Sequence, residues 1–107
     1  MLNTSLKRLA SIAVKHDEAK LHFVGDIAGI EGQCTMKYRY LSEKQVDFFT
    51  TVTDHSLQGK GVAAKVVGEA CGWAQSKNLK VKPTCSYVES FIKKNPQLLS
   101  LLNDSKL

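Results

Sequence analysis

Apolar positions recur at every second residue through the first half of the chain and at helical spacing through the second. Leu21, Phe23 and Gly25 share one face, followed by Cys34, Met36, Tyr38 and Tyr40, then by Val46, Phe48, Thr50 and Val52. A half-buried strand imposes this alternation, because successive side chains point to opposite sides of a sheet. The run Ile12-Ala13-Val14 leads straight into the first strand and reads as part of the fold. Turn-forming residues separate the strands at His16-Asp17-Glu18, from Gly25-Asp26 through Gly32, and at Leu41-Ser42-Glu43-Lys44. Connections this short predict an antiparallel meander.

After Gly61 the period lengthens. Val62, Ala63, Val66, Val67, Ala70, Cys71 and Ala74 form one apolar stripe on a helix that ends near Lys77-Asn78, with Asn78 as its cap. Leu79-Lys80-Val81-Lys82 alternates again until Pro83 stops it, which predicts a short further strand. Tyr87 to Lys94 is helical by spacing, and Asn95-Pro96 ends that helix and starts a new turn. Leu98, Leu99, Leu101 and Leu102 then form an apolar patch that can pack on the chain's own sheet or on a second copy. Four strands, a helix, a strand and short helices make an α+β fold with a mixed, mainly antiparallel sheet. No linker or repeat interrupts it, so residues 1–107 are expected to form one domain.

Composition narrows the function. Hydrophobic residues make up 43% and charged residues 23% of the 107 residues, ordinary usage for a chain with a real core. No apolar run reaches the roughly 18 residues of a membrane span, so a soluble protein is expected, with no membrane partner. Cys34, Cys71 and Cys85 are odd in number and widely spaced, with neither CxxC nor a nearby His to complete a zinc set. A reducing compartment, the cytoplasm, is expected, with no structural metal. Lys7, Arg8 and Lys15 in an acid-free start resemble a mitochondrial leader, the alternative address. Net charge is +5, and seven lysines between Lys60 and Lys94 stand against only Glu69 and Glu89. That excess favours an anionic partner: nucleic acid, an acidic surface or a phosphate-rich cofactor.

The segment from Thr51 through Asp54 to Gln58-Gly59-Lys60-Gly61-Val62-Ala63 runs from a strand through a polar turn and two glycines into a helix. A helix start presents backbone N–H groups with no intrahelical acceptor at the positive end of the macrodipole, a setting that stabilises phosphate oxygens. Gly59 and Gly61 let a ligand approach the backbone, while Lys60 and Lys65 add charge. The spacing lacks the Gly-Lys-Ser/Thr ending of a Walker loop and the third glycine of a dinucleotide fingerprint.

Gln58-x-x-Gly61-x-Ala63 resembles the Q/R-x-x-G-x-G/A signature of the GNAT acetyltransferases, and Pro83-Thr84-Cys85-Ser86-Tyr87 is similar to the P-x-C-S-Y stretch of a subgroup of very short members. The similarity extends from about Val14 to Pro96. It implies a compact GNAT-like fold whose central helix follows a pyrophosphate loop. In that reading Gln58, Gly59, Lys60, Gly61, Val62, Ala63 and Ala64 hold the diphosphate of acetyl-coenzyme A. The backbone of Val52 and Thr53 pairs with its pantetheine arm as an added strand. The resemblance also implies an N-acetyltransferase whose acceptor is an amine, either a small molecule or a protein terminus or lysine.

Cys85 and Tyr87 are the candidate catalytic residues: Tyr87 to give a proton to the departing sulfur, Cys85 either to carry the acetyl group or to shape its pocket. Relatives often carry His-Thr before the loop where this chain has Thr50-Thr51, which removes the candidate histidine base. Asp47, His55 or water must then take the amine proton, or the protein binds coenzyme A with little turnover. A basic nucleic-acid module built on Tyr38, Tyr40, Phe48 and Phe49 is the remaining alternative. It is disfavoured because alternation sends most of those rings to the core and no RNP-like string is present.

Overall fold

The structure is a computed structural model that describes residues 11–102; Lys7 and Arg8, on which the leader-like reading rests, lie outside them. Strands β1 (Ile12–Asp17), β2 (His22–Ile27), β3 (Ile30–Ser42) and β4 (Gln45–Thr53) form the expected antiparallel meander. A 3-10 turn at His55–Leu57 leads to helix α1 (Val62–Ser76), which crosses over to β5 (Lys80–Lys82), paired parallel to β4. Helix α2 (Ser86–Lys93) and a 3-10 turn at Pro96–Leu101 follow. No helix among the described residues is long and apolar enough to cross a membrane.

The α1 stripe Val62, Val66, Val67, Ala70, Cys71 and Ala74 is buried, as its spacing requires, against Phe23, Cys34, Met36, Tyr38, Val46 and Phe48 of the sheet. Gly25 lies inside β2 instead of opening a turn, and the reason is proximity. A Cβ there would sit 2.5 Å from Val66 Cγ2 and 3.1 Å from Val62 Cγ1, so only glycine lets α1 come this close. The β2–β3 turn falls at Ala28-Gly29, where Gly29 takes a φ of 85°.

Asn78 ends α1 in the left-handed conformation with φ 58°. Its N–H donates to Gln75 O at 3.1 Å, and the Leu79 N–H reaches back to Ala74 O at 2.9 Å, the paired bonds of a Schellman ending. Leu98 and Leu101 close over the core at 8% and 2% exposure, so the carboxy-terminal apolar patch packs on its own molecule, with Leu99 left outside. Trp73 is half-buried as a packing residue, its indole against His16, Phe23 and Tyr38.

Candidate functional site

Strand β4 has two different edges. Toward β3 it pairs from Gln45 to Thr53, whereas toward β5 it pairs only over Gln45–Asp47, after which the Cys85 N–H donates to Phe48 O at 3.0 Å. From Phe49 to Thr53 no strand among the described residues covers that second edge. The cause is visible in the register: Tyr38 pairs with Phe48 but Lys37 pairs with Thr50, so Phe49 is an extra residue, a β-bulge. A bulge bends its strand and increases the local twist, which turns β4 away from β5.

The bulge also corrects the expected facing of β4. Thr50 and Val52 do not share a face with Val46 and Phe48. Beyond the bulge Thr51 and Thr53 face α1, opposite the fully buried Met36 and Cys34, and Thr53 Oγ1 donates to Cys34 Sγ at 3.2 Å. Val52 points to the other side and is 57% exposed. One inserted residue inverts every later position in a strand of period 2.

At the end of β4 the chain enters the loop the glycines predicted. Gly59 and Gly61 take φ of 77° and 84°, the left-handed region that costs a side chain about 1–2 kcal/mol. A Cβ at either would meet nothing within 4 Å, so the space beside this backbone is open. Gly61 caps α1, and the first helical bond runs from the Lys65 N–H to Gly61 O at 3.3 Å. The N–H groups of Gly61, Val62, Ala63 and Ala64 therefore precede any intrahelical bond. The first turn contains no acidic residue, and Val62 is buried, anchoring the turn to the core. These residues fit a diphosphate: unpaired donors, no repelling carboxylate, and no side chain in the way. Gln58 folds back across the loop, its Nε2 donating to Thr53 O at 3.2 Å and tying the loop to the end of β4.

Opposite the open edge, Cys85 is half-buried and its thiol donates to Thr51 Oγ1 at 3.6 Å. Tyr87, the second residue of α2, is 40% exposed and stacks on Phe91. Its phenol is shifted upward, chiefly by burial and secondarily by Cys34, so it is protonated near neutral pH and able to donate. The Cys34 thiol is raised by burial, and that of Cys71 is pushed up to about 12 by the same cause; both are inert core groups, as expected.

Asp47 is the one buried carboxylate among the described residues, at 1% exposure. Arg39 donates to its Oδ2 through Nε at 3.2 Å and Nη2 at 3.1 Å, and Thr84 Oγ1 donates to Oδ1 at 2.5 Å. With both oxygens engaged, Asp47 is a tie between β4 and the segment after β5, not a free proton acceptor. His55 is exposed in the 3-10 turn.

The fold thus brings Thr51 to Cys85 and Gln58 to Thr53, and sets the loop at the mouth of the open edge. Sequence reading missed Thr51 as the partner of Cys85, the bulge at Phe49 and the Asp47–Thr84 tie. The adjacent Phe48-Phe49 pair, which breaks the alternation, was the available signal for the bulge.

A family model described as GCN5-related N-acetyl-transferase matches residues 23–101. Protein NATD1 of Xenopus tropicalis is 28% identical over 92 residues, 86% of this chain and 84% of that protein. Protein NATD1 of Homo sapiens is 26% identical over 92 residues, 86% of this chain and 81% of that protein. The solution structure of a GCN5-like putative N-acetyltransferase from Staphylococcus aureus shares the fold, with a TM-score of 0.63 at 20% identity over 88% of this chain and 90% of that chain.

Proposed function

From the premise that this chain belongs to the GCN5-related N-acetyltransferase family, we propose that residues 1–107 act as a single domain that binds acetyl-coenzyme A along the open edge of β4 and acetylates an amine. The observation that carries this reading is continuity. An uncovered strand edge from Phe49 to Thr53 runs directly into a glycine loop with free N–H donors at the start of α1. An edge strand offers main-chain hydrogen bonds to an extended arm, and a helix start offers charge stabilisation to phosphate oxygens, so the two halves of one ligand meet two matching surfaces.

Bound there, acetyl-coenzyme A supplies an activated thioester. The donors of Gly61, Val62, Ala63 and Ala64 hold the diphosphate, with Lys60 and Lys65 adding positive charge. Gln58 fixes the loop through the Thr53 carbonyl. The main chain of Val52 and Thr53 aligns the pantetheine arm. Tyr87 keeps a proton for the departing sulfur, and Cys85 lines the acyl end beside Thr51. The protein works in the cytoplasm, in keeping with its three free thiols.

Calorimetric titration with acetyl-coenzyme A tests the reading. The wild type binds, and Gly61→Glu, which places a carboxylate among the donors, loses binding while circular dichroism shows the fold retained. Failure of the folded wild type to bind overturns the proposal. Tyr87→Phe should lower turnover on the order of 100-fold, the usual share of general acid catalysis, with the cofactor affinity unchanged. A second reading, a coenzyme A-binding protein with little turnover, is favoured by Thr50-Thr51 where members of the family often carry His-Thr and by the engagement of both Asp47 oxygens. Release of free coenzyme A in the presence of amines separates the two.

A further inference from the structure

Helices α1 and α2 and the carboxy-terminal turn pack on one face of the sheet; no described element covers the other. On that uncovered face lies a cavity of about 620 Å³ whose lining includes Lys15, Lys20, His22, Val24, Thr35, Lys37 and Val52. It sits beside the proposed acetyl-donor edge. Thr35 pairs with Val52 and Lys37 with Thr50, so its floor continues onto the stretch of β4 whose far edge is open.

We infer that this cavity seats the acceptor, and that the acceptor is a small amine carrying a carboxylate. The inference rests on the acetyltransferase reading and adds to it the class of substrate. Charge supplies the argument. Among the described residues Lys15, Lys20 and Lys37 make no ion pair. The two carboxylates of the lining are engaged with backbone: Asp17 Oδ1 accepts the Lys20 N–H at 3.2 Å and Asp54 Oδ2 the Gln33 N–H at 2.8 Å. Three ammonium groups against two carboxylates leave one uncompensated positive charge, which matches the single carboxylate group of such an acceptor. A phosphate monoester, with close to two negative charges at neutral pH, exceeds it. The volume falls within the roughly 300–1,000 Å³ of small-molecule sites, and Val24 and Val52 give an apolar floor to an aliphatic chain joining amine to acid. A substrate anchored by its carboxylate near Lys15 and Lys37 then extends its amine over Val52 toward the edge.

The test separates this inference from the reading beneath it. Titration of ¹⁵N-labelled protein with 4-aminobutyrate, without cofactor, should shift the amides of Val24, Thr35, Lys37 and Val52. The analogue 4-aminobutanamide, which keeps the amine and lacks the carboxylate, should bind at least ~5-fold more weakly, since partly exposed charge pairs contribute modestly. The double variant Lys15→Gln/Lys37→Gln, confined to exposed side chains, should abolish the difference, and Lys15→Glu/Lys37→Glu should reverse it. In the acetylation assay the acid should be the better acceptor, with the advantage in kcat/KM lost in both variants and acetyl-coenzyme A affinity unchanged. Shifts mapping elsewhere, or equal binding of acid and amide, overturn the inference. If 4-aminobutyrate maps to the cavity but acetyl-coenzyme A does not bind, the carboxylate site stands and the acetyltransferase reading falls.

Discussion

The two halves of β4 are contiguous, of similar length and attached to the same neighbour β3, yet they are built to opposite ends. Gln45 to Phe48 is enclosed: β3 lies on one side, β5 and then the Cys85 N–H on the other, Val46 and Phe48 are fully buried, and Asp47 is held from Arg39 and from Thr84. Phe49 to Thr53 keeps β3 but has no neighbour on the other side among the described residues, and its side chains are half-buried or exposed. The difference teaches where the stability and the chemistry reside. A strand can leave five residues of its edge uncovered because the four before them are fixed by packing and by a buried charge.

The sharpest way to break that comparison is to empty the enclosed half. Phe48→Ala should destabilise the protein by about 3–5 kcal/mol, as a large core truncation does, whereas Val52→Ala should stay within about 0.5 kcal/mol. Urea denaturation of both variants checks it; similar losses would mean the two halves are not energetically distinct. A smaller effect is expected at the junction. Thr84→Val removes the donor to Asp47 Oδ1 and leaves a buried carboxylate oxygen short of a partner, at about 1–3 kcal/mol. The variant should also weaken acetyl-coenzyme A binding if the tie sets the angle at which β5 and α2 stand off from β4. Lost stability with unchanged affinity would confine the tie to the enclosed half.

How much of this was legible in the sequence follows from the same division. The meander, α1, β5 and α2 were readable because each is written in a period that burial enforces, and the loop was readable because Gly59 and Gly61 sit ahead of an apolar helix. Phe49 was not, since a bulge is one residue added to an otherwise regular alternation, and only the pairing with Lys37 and Tyr38 shows which residue is extra. Gly25 looked like a turn because glycine usually marks one; only the distance to Val66 shows that it makes room for a helix. Asp47 was considered as a base because a carboxylate beside a proposed site invites that role. Its partners come from β3 and from the segment after β5, eight and 37 residues away, a separation that local pattern does not report.

The uncovered edge has a consequence outside catalysis. Unpaired N–H and C=O groups in an extended strand are a template for any other extended chain, so an uncovered edge is open to a second molecule or to a misfolded segment as well as to a ligand. Were the proposed ligand bound there, mass action would work in the protein's favour, because each tenfold excess over Kd adds about 1.4 kcal/mol to the folded, singly occupied form. Under the proposed function the supply of acetyl-coenzyme A would set how long the protein stays dispersed, and scarcity would expose the edge to self-association ahead of any loss of turnover.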